Sequence, residues 1–377
     1  MRDPNAIVST VVRFDPPLDV PAAEILGAQR EITVELEGER RARLDPADPR
    51  AAGLAQVLAG LRDLHHPVYL EVEPETSTIR RLLIPTVGRV VDVRARDDGG
   101  LAVELEPSHA LRVLPRDDPD FEELERQLRG ALRAGAPVLL VDDDARVILD
   151  VRPYLPVPEG PPFPLPDRRL PPRLRPTWAW KELLFAAWRW RRWPWWWLRC
   201  VSPPRAQQVF DAMSATSCDP LTVPAPCIPF LYPDDGCWAR AHEMSRLMLG
   251  MGHLPRKVWI RGTLRVDTRN NPNCLVSWGW HVAPTLCVRH GLLRRRRMVI
   301  DPSLFTTPVS QATWKSAQGD ASATLTDTDA SVYHLFSVYG AVTDPTYSQT
   351  NYYLAQYRLH LQNRAVHHGA PPYTHCP

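Results

Sequence analysis

Between Pro153 and Pro176 the chain places ten prolines, including the adjacent pairs Pro161-Pro162 and Pro171-Pro172. Each proline fixes its own φ and removes a backbone donor, so neither a helix nor a central strand runs through such a stretch. An extended, semi-rigid linker over 153–177 follows, and it divides the chain into parts that must fold on either side of it. With 377 residues there is enough chain for each part to bury its own core. The reading is therefore a mixed α/β N-terminal domain over 1–152, the linker, a Trp/Arg-rich segment over 178–200, and a C-terminal domain over 201–377.

In the first part, Ile32 to Leu36 and Leu101 to Leu105 alternate as half-buried strands do. Asp97-Asp98-Gly99-Gly100 separates Arg89–Val93 from the Leu101 strand and predicts a hairpin. Helical spacing runs from Ala52 to Leu64 and from Phe121 to Leu132, the second with acidic residues in its first turn. No catalytic constellation stands out here. The adjacent His65-His66 lacks spaced metal-ligating partners and reads as a surface pair. The first 200 residues resemble no family by sequence.

The segment from Trp178 to Arg199 holds eight of the thirteen tryptophans, interspersed with arginine. Packing against the neighbouring domain, over its cleft, is the expectation; contact with a membrane surface is the alternative. Its charges rule out a spanning helix. A net charge of +2, from 45 basic and 43 acidic residues, gives no general case for nucleic acid. The start of the chain shows no secretory signal, so synthesis in the cytoplasm is expected.

Six cysteines fall between residues 200 and 287, and the last is Cys376. An odd number points to one thiol kept free. Cys237 opens a helix whose apolar face follows Cys237, Ala241, Met244 and Met248. The start of a helix offers unpaired N–H groups and a positive dipole end, which favour a thiolate and an oxyanion. A buried structural cysteine fits the same spacing equally well. Further on, Leu275–Val288 and Arg297–Ile300 read as a hairpin turning at Gly291, which sets His281 directly across from Asp301, as a base and its orienting carboxylate require. A structural strand histidine is the competing reading. The Arg294–Arg297 run is expected to be a solvated hairpin end.

These residues resemble the bacterial protein-glutaminases. Cys227-Ile228-Pro229-Phe230, Tyr232-Pro233, Asp235-Gly236-Cys237, Ala239-Arg240-Ala241-His242, Met244, Trp278, His281-Val282-Ala283, Ile300 to Phe305, Pro308-Val309 and Trp314 match that family in order and spacing over about residues 205–335. The resemblance implies a catalytic triad of Cys237, His281 and Asp301 on a papain/transglutaminase-like α+β fold, in which a helix carrying the cysteine packs on an antiparallel sheet carrying the histidine and aspartate. It also implies a disulfide between Cys218 and Cys227; the remaining cysteines are expected to be packing or surface residues. Where the family has tyrosine after the nucleophile this chain has Trp238, and Gly279-Trp280 precedes His281. Trp238, Trp278 and Trp280 are thus expected to form the oxyanion and substrate wall. Family members carry a signal and a pro-region over the cleft.

The implied reaction is deamidation of exposed glutamine side chains in protein substrates through a Cys237 thioester, with no cofactor or metal required. Within enzymes the rivals are transglutaminase-type acyl transfer and a cysteine peptidase. A binding or targeting protein, of the effector or toxin kind, with a silenced triad is the alternative from another class. Segment 178–199 is expected to cover the cleft, and export by a specialised system is the alternative to a cytoplasmic life.

Overall fold

The computed structural model describes residues 5–154, 200–222, 226–291 and 294–377. The linker beyond Tyr154 and the Trp/Arg segment 178–199 lie outside the described residues, and with them the expectations of a cleft cover or membrane contact made there. The architecture is mixed α/β with several sheets, every ladder of which is antiparallel.

The N-terminal unit contains two three-stranded sheets and one five-stranded sheet. The expected strand at Ile32–Leu36 is present, with Ile32, Val34 and Leu36 buried in alternation. The predicted hairpin is the pair Thr86–Ala95 and Leu101–Glu106, closed where Ala95 faces Leu101. The two predicted helices are Ala51–Asp63 and Phe121–Ala134. Leu54, Val57, Leu58 and Leu61 of the first are fully buried, each worth at most about 1.5–3 kcal/mol of transfer free energy. His65 is exposed as expected, whereas His66 is buried, its ring nitrogens 3.0 Å from Tyr352 Oη and 2.8 Å from the Pro85 carbonyl oxygen. Isolated spacing hid this because Pro85 and Tyr352 arrive from distant parts of the chain.

The C-terminal unit is built on a five-stranded sheet in the order Val309–Ser310, Arg294–Val299, Leu275–His290, Arg256–Asp267, Thr324–Asp329. The Cys237–Gly250 helix packs on the Leu275–His290 strand. Apolar residues of this helix and this strand form one core with the Ser348–His368 helix, through Tyr353, Leu354, Tyr357 and Leu361. That last helix also packs on Ala51–Asp63, placing Leu359 in the N-terminal core. The two units therefore share an element. Among the described residues no helix is long and apolar enough to cross a membrane.

Two expectations are corrected. In the Leu275–His290 hairpin Thr285 faces Val299 and His290 faces Arg294, so the register is displaced by two residues from a turn centred on Gly291, and the arginine run starts the returning strand. Cys200 and Cys274 are not lone packing residues: Cys200 is bonded to Cys287 and Cys274 to Cys376. Cys218 is bonded to Cys227.

Candidate active site

Asp234-Asp235-Gly236 delivers Cys237 to the start of its helix. Gly236 has φ +82, and a Cβ there would run into the Tyr357 ring, so glycine alone meets both demands. Asp234 accepts hydrogen bonds from Arg364 Nη1 and Asn271 Nδ2, each at 2.6 Å. Arg240, one turn into the helix, donates to the carbonyl oxygens of Tyr232 at 2.9 Å and Asp235 at 2.5 Å. The entry loop is thus tied at three points. Cys237 is 1% exposed and, among the described residues, is the one cysteine outside a disulfide. Burial pushes its thiol well above the ordinary value; the Arg240 charge and a backbone hydrogen bond from Val282 pull the other way.

His281 lies on the central strand, where it faces Ile260. Its Nε2 is 2.9 Å from Asp301 Oδ2, just beyond the end of the Arg294–Val299 strand. The two-residue displacement of register keeps both side chains on one face, because side-chain direction has a period of two; the pair meets diagonally instead of directly across. The His281 ring is stacked between Trp278, at 4.6 Å and 17°, and Trp314, at 5.4 Å and 27°. Trp314 Nε1 donates to the same Asp301 Oδ2 at 2.9 Å. Burial opposes the charge on Asp301, yet His281 and Trp314 together hold it below the usual carboxylate range. With Nε2 engaged by the carboxylate, Nδ1 is the ring nitrogen left without a hydrogen-bond partner.

A segment that sequence reasoning passed over lies against these residues. Residues 107–111 lead from the Leu101–Glu106 strand into Arg112–Leu114 and pair with the central strand of the other unit. Leu111 N donates to Ser277 O and Gly279 N donates to His109 O, both at 3.0 Å, and Ala110 bridges Trp278. Ser108 Oγ donates to Asp235 Oδ2 at 2.5 Å, and His109 N donates to Asp235 Oδ1 at 3.1 Å. Fully buried Arg112 donates to Ser108 Oγ at 2.9 Å, to Ala110 O at 3.1 Å and to Thr86 Oγ1 at 2.8 Å. His109 enters the cage made by the three tryptophans, with ring centroids 6.0 Å from Trp238, 5.3 Å from Trp278 and 5.4 Å from Trp280. Burial lowers its pKa to about 4. One ring nitrogen of His109, one of His281 and the Cys237 sulfur all lie within 4.8 Å of one another. Trp314, Arg240 and His109 are the site residues whose contacts no spacing foretold; only Trp314 and Arg240 stood in the matched blocks.

A family model described as a glutaminase matches residues 206–318. The protein-glutaminase of Chryseobacterium proteolyticum, known by NMR, is 30% identical over 40% of this chain and 84% of that chain, with a TM-score of 0.36. The chain belongs to the protein-glutaminase family. A crystal structure of pro-protein-glutaminase shares the fold at 22% identity and a TM-score of 0.52, over 78% of this chain and 99% of that chain. The A47Q2 mutant of pro-protein-glutaminase gives 21% identity and a TM-score of 0.50, over 72% of this chain and 92% of that chain. Those shares exceed what lies C-terminal to the linker, so the likeness in fold extends into the N-terminal unit, where the sequence alone resembled nothing. No curated protein matches this chain.

Proposed function

We propose that this protein-glutaminase family member deamidates glutamine side chains in proteins, that Cys237, His281 and Asp301 perform the chemistry, and that the chain described here is its covered, latent form. The observation that carries the reading is a free cysteine at a helix start, beside a histidine whose far nitrogen rests 2.9 Å from a buried aspartate. The helix packed on an antiparallel sheet supports a papain/transglutaminase-like description of this half.

Once residues 107–111 leave, water and substrate reach the thiol and the burial that pushes its pKa up is relieved. His281 Nδ1 then takes the thiol proton, with Asp301 holding the ring orientation and stabilising the imidazolium. The thiolate attacks the carboxamide carbon. N–H groups at the start of the Cys237–Gly250 helix are placed to support the tetrahedral oxyanion. The carbon–nitrogen bond breaks as His281 passes its proton to the departing amine, which leaves as ammonia. Water, deprotonated by His281, opens the thioester, and glutamate and the free thiol are released. Trp238, Trp278 and Trp280, which now enclose His109, form the wall along which the glutamine stem would lie. The chemistry needs no metal or organic cofactor.

The test is ammonia release from a glutamine-rich protein, with intact mass of the product, for the full chain and for Cys237→Ala. Release that depends on the thiol, with the mass change of an amide becoming a carboxylate, supports the proposal. Cleaved backbone would instead assign a peptidase, and incorporation of an added primary amine in place of hydrolysis would assign acyl transfer.

A further inference from the structure

His109 is an imidazole beside Cys237 that deamidation does not use, and its placement is that of a ligand. Its Nδ1 lies 2.9 Å from Asp235 Oδ1 in an ion-pair contact, and both of its ring nitrogens are buried without a hydrogen-bond partner. His281 is arranged in the mirror sense, with Nε2 2.9 Å from Asp301 Oδ2 and Nδ1 without a partner. The Cys237 sulfur completes the cluster: it, one ring nitrogen of His109 and one of His281 lie within 4.8 Å of one another. A thiolate with two imidazoles is a zinc donor set, and three protein ligands are the number used where the fourth position goes to another molecule. Each imidazole is backed by a carboxylate on its other nitrogen, the outer arrangement that fixes ring orientation in such sites. Bonds of about 2.0–2.3 Å set ligand atoms roughly 3.3–3.8 Å apart, so small side-chain adjustments close the cluster on an ion. Sulfur and imidazole select zinc-class ions over magnesium or calcium.

We propose that in the covered chain Cys237 Sγ, His281 Nδ1 and His109 Nε2 bind one zinc-class divalent ion, which ties the cover to the thiol beneath it. On binding, the sulfur–hydrogen bond breaks, the proton passes to solvent and a sulfur lone pair forms the metal bond; nothing is oxidised or reduced. Nucleophile and base are both withheld while the ion is held. Because His109 belongs to the cover, the full site exists only when the cover is seated, and the ion enters as it seats. The inference rests on this closed geometry and stands whichever amide the thiol attacks.

The experiment uses the full-length chain stripped of metal, titrated with Co²⁺ alone and then with Zn²⁺ alone, followed by absorption spectroscopy and metal content after gel filtration. One ion per chain is expected, with a thiolate-to-cobalt charge-transfer band that zinc displaces. Cys237→Ser abolishes the band. His109→Gln lowers affinity about 100-fold or more, beyond the 10- to 100-fold cost of losing an outer carboxylate. His109→Cys, which restores a ligand at that position, retains the band if the glutamine variant fails to fold. A wild-type chain that shows no band overturns the proposal, as does an affinity unchanged in His109→Gln, which would leave the cover no part in binding.

Discussion

At the scale of single residues, the site is governed by how His281 is held. Trp278 and Trp314 sandwich its ring, and Trp314 also donates to the Asp301 oxygen that His281 contacts. Trp314→Phe keeps the ring and removes the donor. A hydrogen bond to a charged group is worth about 1.5–3 kcal/mol, so kcat is expected to fall by about 10- to 100-fold with KM nearly unchanged; steady-state kinetics on an uncovered chain would show it. A second expectation concerns acid. Burial lowers His66 and His109 to about 4 and His334 to about 3. Their folded values lie below the unfolded one, so they cost nothing above about pH 6.5. As pH falls through that value the unfolded chain takes up protons first, and stability is lost until the folded histidines also titrate. Each shift of this size costs on the order of 3 kcal/mol at the low-pH end. The melting temperature should drop between pH 6.5 and 4, and His66→Gln should blunt the drop. Cys237, His281 and Asp301 were legible in the sequence because residue type, order and local blocks name them. His109 was not, since what makes it part of the site is a strand pairing with a distant part of the chain.

At the scale of elements, the hairpin shows what pattern reading resolves and what it leaves open. Alternation identified both strands and the shared face of His281 and Asp301, which any even displacement of register preserves. It did not fix where the turn closes, and Thr285 faces Val299. The Cys237–Gly250 helix was legible from its apolar spacing, whereas the cover was not: residues 107–111 carry no repeating pattern, and their conformation comes from Ser277, Gly279 and Asp235 in the other unit. Arg112 is the bolt of this element, fully buried and bonded to Ser108, Ala110 and Thr86. Removing it leaves buried acceptors unpaired, which costs a few kcal/mol and falls on the closed state. Arg112→Ala should accelerate alkylation of Cys237 by iodoacetamide at least tenfold in a chain that still melts cooperatively. An unchanged rate would mean that the cover does not control access to the thiol.

At the scale of the whole molecule, the two units are joined by more than the segment between them. The Ser348–His368 helix contributes Tyr357 to the C-terminal core and Leu359 to the N-terminal one. Arg364 donates to Asp144 at 2.7 Å and to Asp234 at 2.6 Å, so the loop that delivers Cys237 is tied to the N-terminal unit through one buried guanidinium. The proline-rich stretch was read in the sequence as a division of the chain and lies outside the described residues; composition says nothing about docking across it, nor that Cys274 and Cys376 close a long loop. The central claim is a working thiol beneath a cover, and the most direct measurement is the rate of ammonia release from a glutamine-rich protein by the wild-type chain, Arg112→Ala, and Arg112→Ala with Cys237→Ala. The account predicts slow release from wild type, release at least tenfold faster from Arg112→Ala, and none from the double variant; release that persists without Cys237 would contradict it.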